Sequence, residues 1–252
     1  GSKPAIRPSE KTVEERIPPR LKVRRGAILE TPHVMMLADD EKKTLIEPIG
    51  DHKDSLPLLY DGELMLGGGH LRGWAVDDER GVCAAMDNLP SLRTDDPILF
   101  AVGDGNHSMA AARKCWLEHP TERNRYMLAE VVNLYDESLR FEPIHRLLRG
   151  EDLDGIWRRA SERGLTLDGG DVRQVQPFLD ETLDAATQVD YIHGADALRR
   201  LSAQPGCRGI ELKAIEKETL FPSLIGGKTL PRKAFSMGEA WEKRYYLEAR
   251  EL

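Results

Sequence analysis

The sequence predicts an α+β fold of mixed sheets with flanking helices. Three observations predict it. Short apolar runs bounded by Gly, Pro or polar clusters recur along the chain, as strands do. Between them lie stretches with apolar residues at helical spacing. One stretch, Ile98 to Trp116, joins the two kinds of element through a glycine turn.

Residues 1–26 read as the basic N-terminal segment of a truncated chain. The first residue is Gly1 rather than Met, so Gly1-Ser2 reads as a tag scar or a mid-chain start. Thr12 to Arg16 spells one helical turn, which Pro18-Pro19 ends. Arg16, Arg20, Arg24 and Arg25 are basic in an otherwise acidic protein. One reading is a solvated linker. The other is an arm that brings guanidinium groups to an anionic ligand.

Residues 27–150 read as an α/β core. Ala27 to Leu29 and Val34 to Ala38 flank Glu30-Thr31-Pro32-His33, and a polar turn leads to Thr44 to Ile49, a pattern that reads as a β-hairpin. Glu30 and His33 lie close enough in sequence to form a proton-transfer pair. A surface carboxylate beside a satisfied histidine is the plainer reading. Leu56 to Tyr60 and Leu71 to Val76 read as strands around Gly67-Gly68-Gly69, and Gly81 to Leu89 as a helix stopped by Pro90.

Ile98 to Val102 reads as a buried strand. Gly103-Asp104-Gly105-Asn106-His107 turns the chain, and Ser108 to Trp116 continues as a helix. A strand, a glycine turn and a helix start leave free backbone N–H groups at the positive end of a helix dipole, which attracts anions. Asp104 could hold a metal or take a proton. Asn106, His107 and Ser108 could donate to phosphate oxygens. Against this, Asp, Asn and Ser are ordinary turn and N-cap residues. No Gly-Lys-Ser/Thr follows, so this is not a Walker loop, and the third glycine of a dinucleotide fingerprint is missing.

Met127 to Leu134 reads as a strand, and Phe141-Glu142-Pro143-Ile144-His145-Arg146 as a third histidine-bearing turn. Composition changes near Gly150, so residues 151–252 read as a C-terminal α/β subdomain packed on the core. Its expected helices are Leu153 to Arg163, Val172 to Ala186 (with Pro177 in the first turn or at a kink) and Ala195 to Ala203. Strands are expected at Gln188 to Ile192 and Gly209 to Ile215, with Glu216 to Leu224 helical or irregular. Beyond the tail carrying Arg232 and Lys233, a charged helix is expected from Glu242 to Glu251.

Composition narrows the function classes. A net charge of -7 over 252 residues leaves no global footprint for nucleic acid. Three widely spaced cysteines, Cys83, Cys115 and Cys207, fit a reduced cytoplasmic setting. No apolar run is long enough for a membrane span, and no secretory signal is present. The expected partner is a small molecule, and a homo-oligomer is compatible with the sequence.

Glu30-Thr31-Pro32-His33, Asp104-Gly105-Asn106-His107 and Phe141 to Arg146, with Ile192-His193-Gly194 and Leu230-Pro231-Arg232-Lys233, resemble a bacterial family: domain of unknown function 1015. Members usually extend further at the N-terminus and carry Asp-Gly-His-His-Arg-Tyr where this chain has Asp104 to Met109. The turn is also similar to the phosphate-binding turn of the ParB/sulfiredoxin superfamily, which includes nucleotide-dependent enzymes and free-serine kinases. That resemblance implies a ParB/sulfiredoxin-like core around residues 98–118 and phosphoryl transfer from ATP, ADP or pyrophosphate to a hydroxyl such as that of free serine, assisted by Mg²⁺. Gly105, Asn106, His107 and Ser108 would cradle the phosphate, and Asp104 would hold the metal or orient the phosphate. Glu30 or His33 would take the proton, and His145, Arg146, Arg232 and Lys233 would neutralise charge. Asn106 and Ser108, which replace a His and an Arg of the family pattern, favour the alternative of a non-catalytic module that senses a nucleotide or anion. A hydrolase using the Glu and His groups on water is a third reading.

Overall fold

A computed structural model describes residues 4–31, 33–239, 242 and 245–252. Gly1-Ser2, Pro32 of the first histidine turn and part of the expected C-terminal helix lie outside the described residues. The strands are β1 (Ile6–Pro8), β2 (Leu29–Glu30), β3 (Met35–Ala38), β4 (Leu58–Glu63), β5 (His70–Trp74), β6 (Phe100–Asp104), β7 (Glu130–Asn133), β8 (Phe141–Arg149), β9 (Gln188–His193), β10 (Cys207–Ile210), β11 (Phe235–Met237) and β12 (Arg250–Glu251). The helices are α1 (Ile17–Arg25), α2 (Glu47–Asp51), α3 (Glu79–Asp87), α4 (Asn106–Glu118), α5 (Glu122–Arg125), α6 (Leu153–Glu162), α7 (Val172–Thr182), α8 (Ala195–Ser202) and α9 (Leu220–Leu224). The architecture is therefore mixed α+β with several sheets.

The chain forms two compact units. The first is residues 1–139 with 220–228 and 242–252, and the second is 140–219 with 229–241. In the first, a four-stranded sheet runs in the order β1-β6-β3-β7. β1 is parallel to β6, β3 is antiparallel to β6, and β3 is parallel to β7. Ala38, Leu45, Leu89 and Phe100 form a core cluster under it. Apolar burial of this kind contributes roughly 25 cal/mol per Å² removed from water. α1 packs on α4. β4 and β5 form a separate antiparallel pair. In the second unit β8 pairs antiparallel with β9, β10 and β11, and Leu147, Leu148, Ile156, Leu179 and Ile210 are buried.

Four local expectations give way to tertiary context. The hairpin expected over residues 27–49 does not form: β3 pairs with β6 and β7 instead, and Glu47-Pro48 open the short helix α2. Pro18 and Pro19 start α1 rather than stop a helix, because proline in the first turn forfeits no intrahelical bond. Phe141 to Arg146 is no turn but part of the nine-residue β8. Arg250-Glu251 pairs with β2 instead of ending a helix, and Tyr245 to Ala249 is not helical. An isolated helix of that length is marginal, and the strand pairing joins Arg250 to buried Glu30.

Candidate anion-binding site

β6 is apolar and sealed where it crosses the sheet, with Ala101 and Val102 fully buried. At its end the chain turns through Gly105, whose φ is +90°. Only glycine suits this position, since a Cβ here would lie 2.8 Å from the His33 carbonyl oxygen and 2.9 Å from Val34 Cα. β3, paired to β6, brings the His33–Val34 backbone against the turn. Gly105 is the N-cap of α4 and supplies no side-chain hydrogen bond to its first turn. Asp104 Oδ1 accepts from Gly105 N at 2.8 Å. The first intrahelical bond is Met109 N to Gly105 O, 2.9 Å. A helix start without a side-chain cap presents backbone N–H groups and the positive end of its dipole.

The N-terminal segment lies over this mouth. Val13 N donates to His107 Nε2 at 3.0 Å, so that nitrogen acts as an acceptor. Asn106 is buried and its Nδ2 donates to Ser9 Oγ at 3.2 Å. Asp104 is exposed, and Ser108 and His33 are within reach of solvent.

A cavity of about 400 Å³ opens beside the same turn. Its walls are mostly apolar: Pro19 and Val23 from α1, Ala27, Leu29 from β2, Ala111 from α4, and Leu252. Its polar lining is Arg20, Arg24, Glu30, Thr31, His33 and Ser108. Ser108 and His33 thus touch both the helix mouth and the cavity. His33 Nδ1 lies 3.0 Å from Thr31 O, which can only accept, so Nδ1 donates in that bond and Nε2 is not engaged by it.

Glu30 is buried at the edge of the cavity, its side chain 4% exposed. Oε2 accepts from Arg24 Nη1. Oε1 accepts from Leu128 N at 2.9 Å and from Arg250 Nε at 2.7 Å. Burial alone would raise its pKa, but the hydrogen bonds from Arg24, Leu128 and Arg250 outweigh it and hold the carboxyl below its ordinary value. A carboxylate engaged in this way is a weak base. Arg24 itself keeps two guanidinium nitrogens, Nε and Nη2, buried with no hydrogen-bond partner.

His145, Arg146, Arg232 and Lys233 gather in the second unit. Arg146 is fully buried and donates through Nε to Gln176 Oε1 (2.6 Å), through Nη1 to Ile144 O (2.6 Å), and through Nη2 to Arg232 O and Lys233 O (3.1 Å each). These bonds hold the 232–233 turn against β8. His145 Nδ1 accepts from Leu212 N at 3.1 Å, and burial pushes its pKa down, so the ring is held neutral. Arg232 lies over the Tyr191 ring, 5.4 Å from its centroid. Among the described residues, no three His, Cys, Asp or Glu groups converge to hold a metal ion. The same residues include no helix long and apolar enough to cross a membrane.

Sequence reasoning points to neither Val13, which ties down His107, nor Arg250, which ties down Glu30. Both contacts join segments far apart in sequence, and no local pattern marks them. The α1 arginines do stand out as a basic segment, and two of them, Arg20 and Arg24, line the cavity.

The pattern of the protein family of unknown function DUF1015 matches residues 2–175. The chain belongs to that family. Among solved structures, this DUF1015 chain is similar to a mutant free serine kinase in complex with AMP, with a TM-score of 0.54 and 10% identity over 93% of this chain and 85% of that one. It is similar to a conserved hypothetical protein from Pyrococcus furiosus (TM-score 0.51, 11% identity, 98% and 91% covered). It is also similar to C-terminally truncated SbnI from Staphylococcus aureus (TM-score 0.52, 8% identity, 94% and 80% covered). No curated protein matches the chain. At identities this low the likeness is one of fold alone.

Proposed function

We propose that this DUF1015 protein is a small-molecule phosphotransferase, moving a phosphoryl group from a nucleotide or pyrophosphate to a hydroxyl such as that of free serine. The observation that carries the reading is the adjacency of the uncapped α4 start to the cavity, with Ser108 and His33 common to both. A donor phosphate at the helix mouth would be held by backbone N–H groups of residues 106–108, the Gly105 amide being engaged by Asp104. The acceptor would lie in the cavity with its hydroxyl turned toward that mouth. The fold likeness to a free serine kinase solved with AMP, and to the same kinase solved with ADP, supports a nucleotide as donor.

The residues divide the work by their chemistry. Gly105 permits the backbone turn, and Ser108 offers a hydroxyl donor at the first helical turn. His33 Nε2 is the better proton acceptor of the pair read from sequence, since Glu30 is held ionised by two arginines and an amide. Glu30 then positions Arg24 and the β2 edge. Asp104 is a single exposed carboxylate, which fits magnesium arriving on the donor's phosphates, because that ion takes one or two carboxylates and keeps water and phosphate oxygens as its other ligands. Bound there, magnesium supplies charge neutralisation on the phosphates. Positioning and electrostatics carry most of the catalysis in such transfers.

The test is calorimetric titration with ATP, ADP, AMP and pyrophosphate, then a transfer assay over a panel of hydroxyl amino acids. Binding of a polyphosphate with turnover, lost in Asp104→Ala, supports the enzyme. Asn106, where the family pattern has His, is buried beneath Ser9 and favours a second reading as a nucleotide or anion sensor. Tight binding without turnover on any acceptor selects that reading, and no polyphosphate binding removes both.

A further inference from the structure

Arg24 has a side chain only 9% exposed, and one of its nitrogens, Nη1, is paired with Glu30. The two nitrogens left over are Nε and Nη2. Those two form one edge of the planar guanidinium, the side on which two parallel N–H bonds meet both oxygens of a carboxylate or phosphate. A buried charged group with unused donors costs more than a buried neutral one. Glu30 does not supply the missing acceptors: it takes Arg24 Nη1, Leu128 N and Arg250 Nε, and neither Nε nor Nη2 of Arg24 is bonded to it. Arg24 also lines the 400 Å³ cavity, whose other walls are largely aliphatic. Ligand cavities of roughly 300–1,000 Å³ suit molecules of drug size, and serine would fill only a corner of this one.

We propose that the Nε–Nη2 edge of Arg24 receives the oxyanion of a ligand whose apolar body lies against Pro19, Val23, Ala27, Leu29 and Leu252. The inference builds on the reading of this cavity as the acceptor's place, and it makes the preferred acceptor a hydroxyl-bearing carboxylate or phosphate monoester with more apolar surface than serine. Arg20, on the same wall, adds a second cation. The neighbouring carboxylate, Glu30, keeps Arg24 in register rather than competing for its free edge.

The experiment is calorimetric binding to the full chain, with no nucleotide present. Hexanoate and hexyl phosphate are the probes; acetate, inorganic phosphate and hexanol are the controls. The expected result is saturable one-to-one binding of hexanoate, hexyl phosphate or both, tighter than the matching short anion by about tenfold or more, with hexanol inert. Whichever probe binds identifies the oxyanion as carboxylate or phosphate. Arg24→Lys keeps a cation near Glu30 but removes the two-pronged edge, and it should weaken binding about tenfold or more. Val23 is 74% exposed at the cavity wall, so Val23→Trp fills the space without disturbing the core and should abolish binding. Asp104→Ala should leave it intact, which separates this site from the donor-phosphate reading. No saturable binding of either probe, equal affinity for acetate and hexanoate, or full affinity in folded Arg24→Lys or Val23→Trp protein would overturn the proposal.

Discussion

The backbone of His33 fixes the residue at Gly105. A Cβ at 105 would come within 2.8 Å of the His33 carbonyl, and the φ of +90° is one that L side chains avoid. Two costs therefore add in Gly105→Ala: roughly 1–2 kcal/mol for the left-handed backbone and a further amount for the displaced β3 entry. We expect a loss of about 2–4 kcal/mol in urea unfolding at 25 °C. A change within about 0.5 kcal/mol, the range of an ordinary surface substitution, would contradict the close approach.

Glu30 predicts an acid-sensitive fold. Its folded pKa is lowered, so its contribution is complete above the ordinary carboxylate pKa and disappears as pH falls through the folded value. Wild-type protein should lose stability on acidification from about pH 5 downward through this group. Glu30→Gln should lose about 3 kcal/mol at pH 7, because Arg24 and Arg250 are left without their carboxylate. The difference between the two proteins should shrink as pH drops. A difference that stays constant from pH 7 to about pH 3 would count against the network.

His107 should hold the N-terminal segment in place, since its Nε2 receives the Val13 amide. In His107→Ala, hydrogen exchange at Val13 should quicken by about tenfold, the equivalent of one ordinary hydrogen bond, while β6 amides stay protected. Unchanged exchange at Val13 would show that the tie is not formed in solution.

Arg146 carries a prediction of a different kind. Its guanidinium is spent on Gln176, Ile144, Arg232 and Lys233 within the second unit. Arg146→Ala should cost several kcal/mol, on the order of 1–3 kcal/mol for each buried acceptor left unpaired. The accompanying loss in thermal melting should appear with or without nucleotide. A stable Arg146→Ala protein with impaired nucleotide binding would instead assign the residue to a ligand.

The parts of the fold legible in the sequence are those fixed by local patterns. The Phe100–Asp104 strand, the Gly105 turn and the Asn106–Glu118 helix arise from an apolar run, a left-handed glycine and an Ala-rich repeat. The elements that differ from expectation are decided at a distance. Val34 to Ala38 is as ready to form a hairpin as to pair with β6 and β7, and only the buried partners choose. Pro18-Pro19 can stop one helix or start another, and α1 packing on α4 makes it a start. The candidate site divides in the same way. Asp104 to Ser108 sit together because they are neighbours in sequence, whereas Arg24, Glu30 and Arg250 meet through pairing of β2 with β12, which no spacing encodes.

In the proposed phosphotransfer, the start of α4 holds a donor phosphate while the adjoining cavity holds its acceptor. The most direct measurement traces labelled phosphate from the terminal position of ATP, ADP or pyrophosphate into hydroxyl-bearing amino and carboxylic acids, in wild type and in Ser108→Ala. Labelled phosphomonoester should accumulate with wild type and fall by a factor on the order of a hundred in Ser108→Ala. No labelled product from any donor and acceptor pair, or equal product from both proteins, would contradict it.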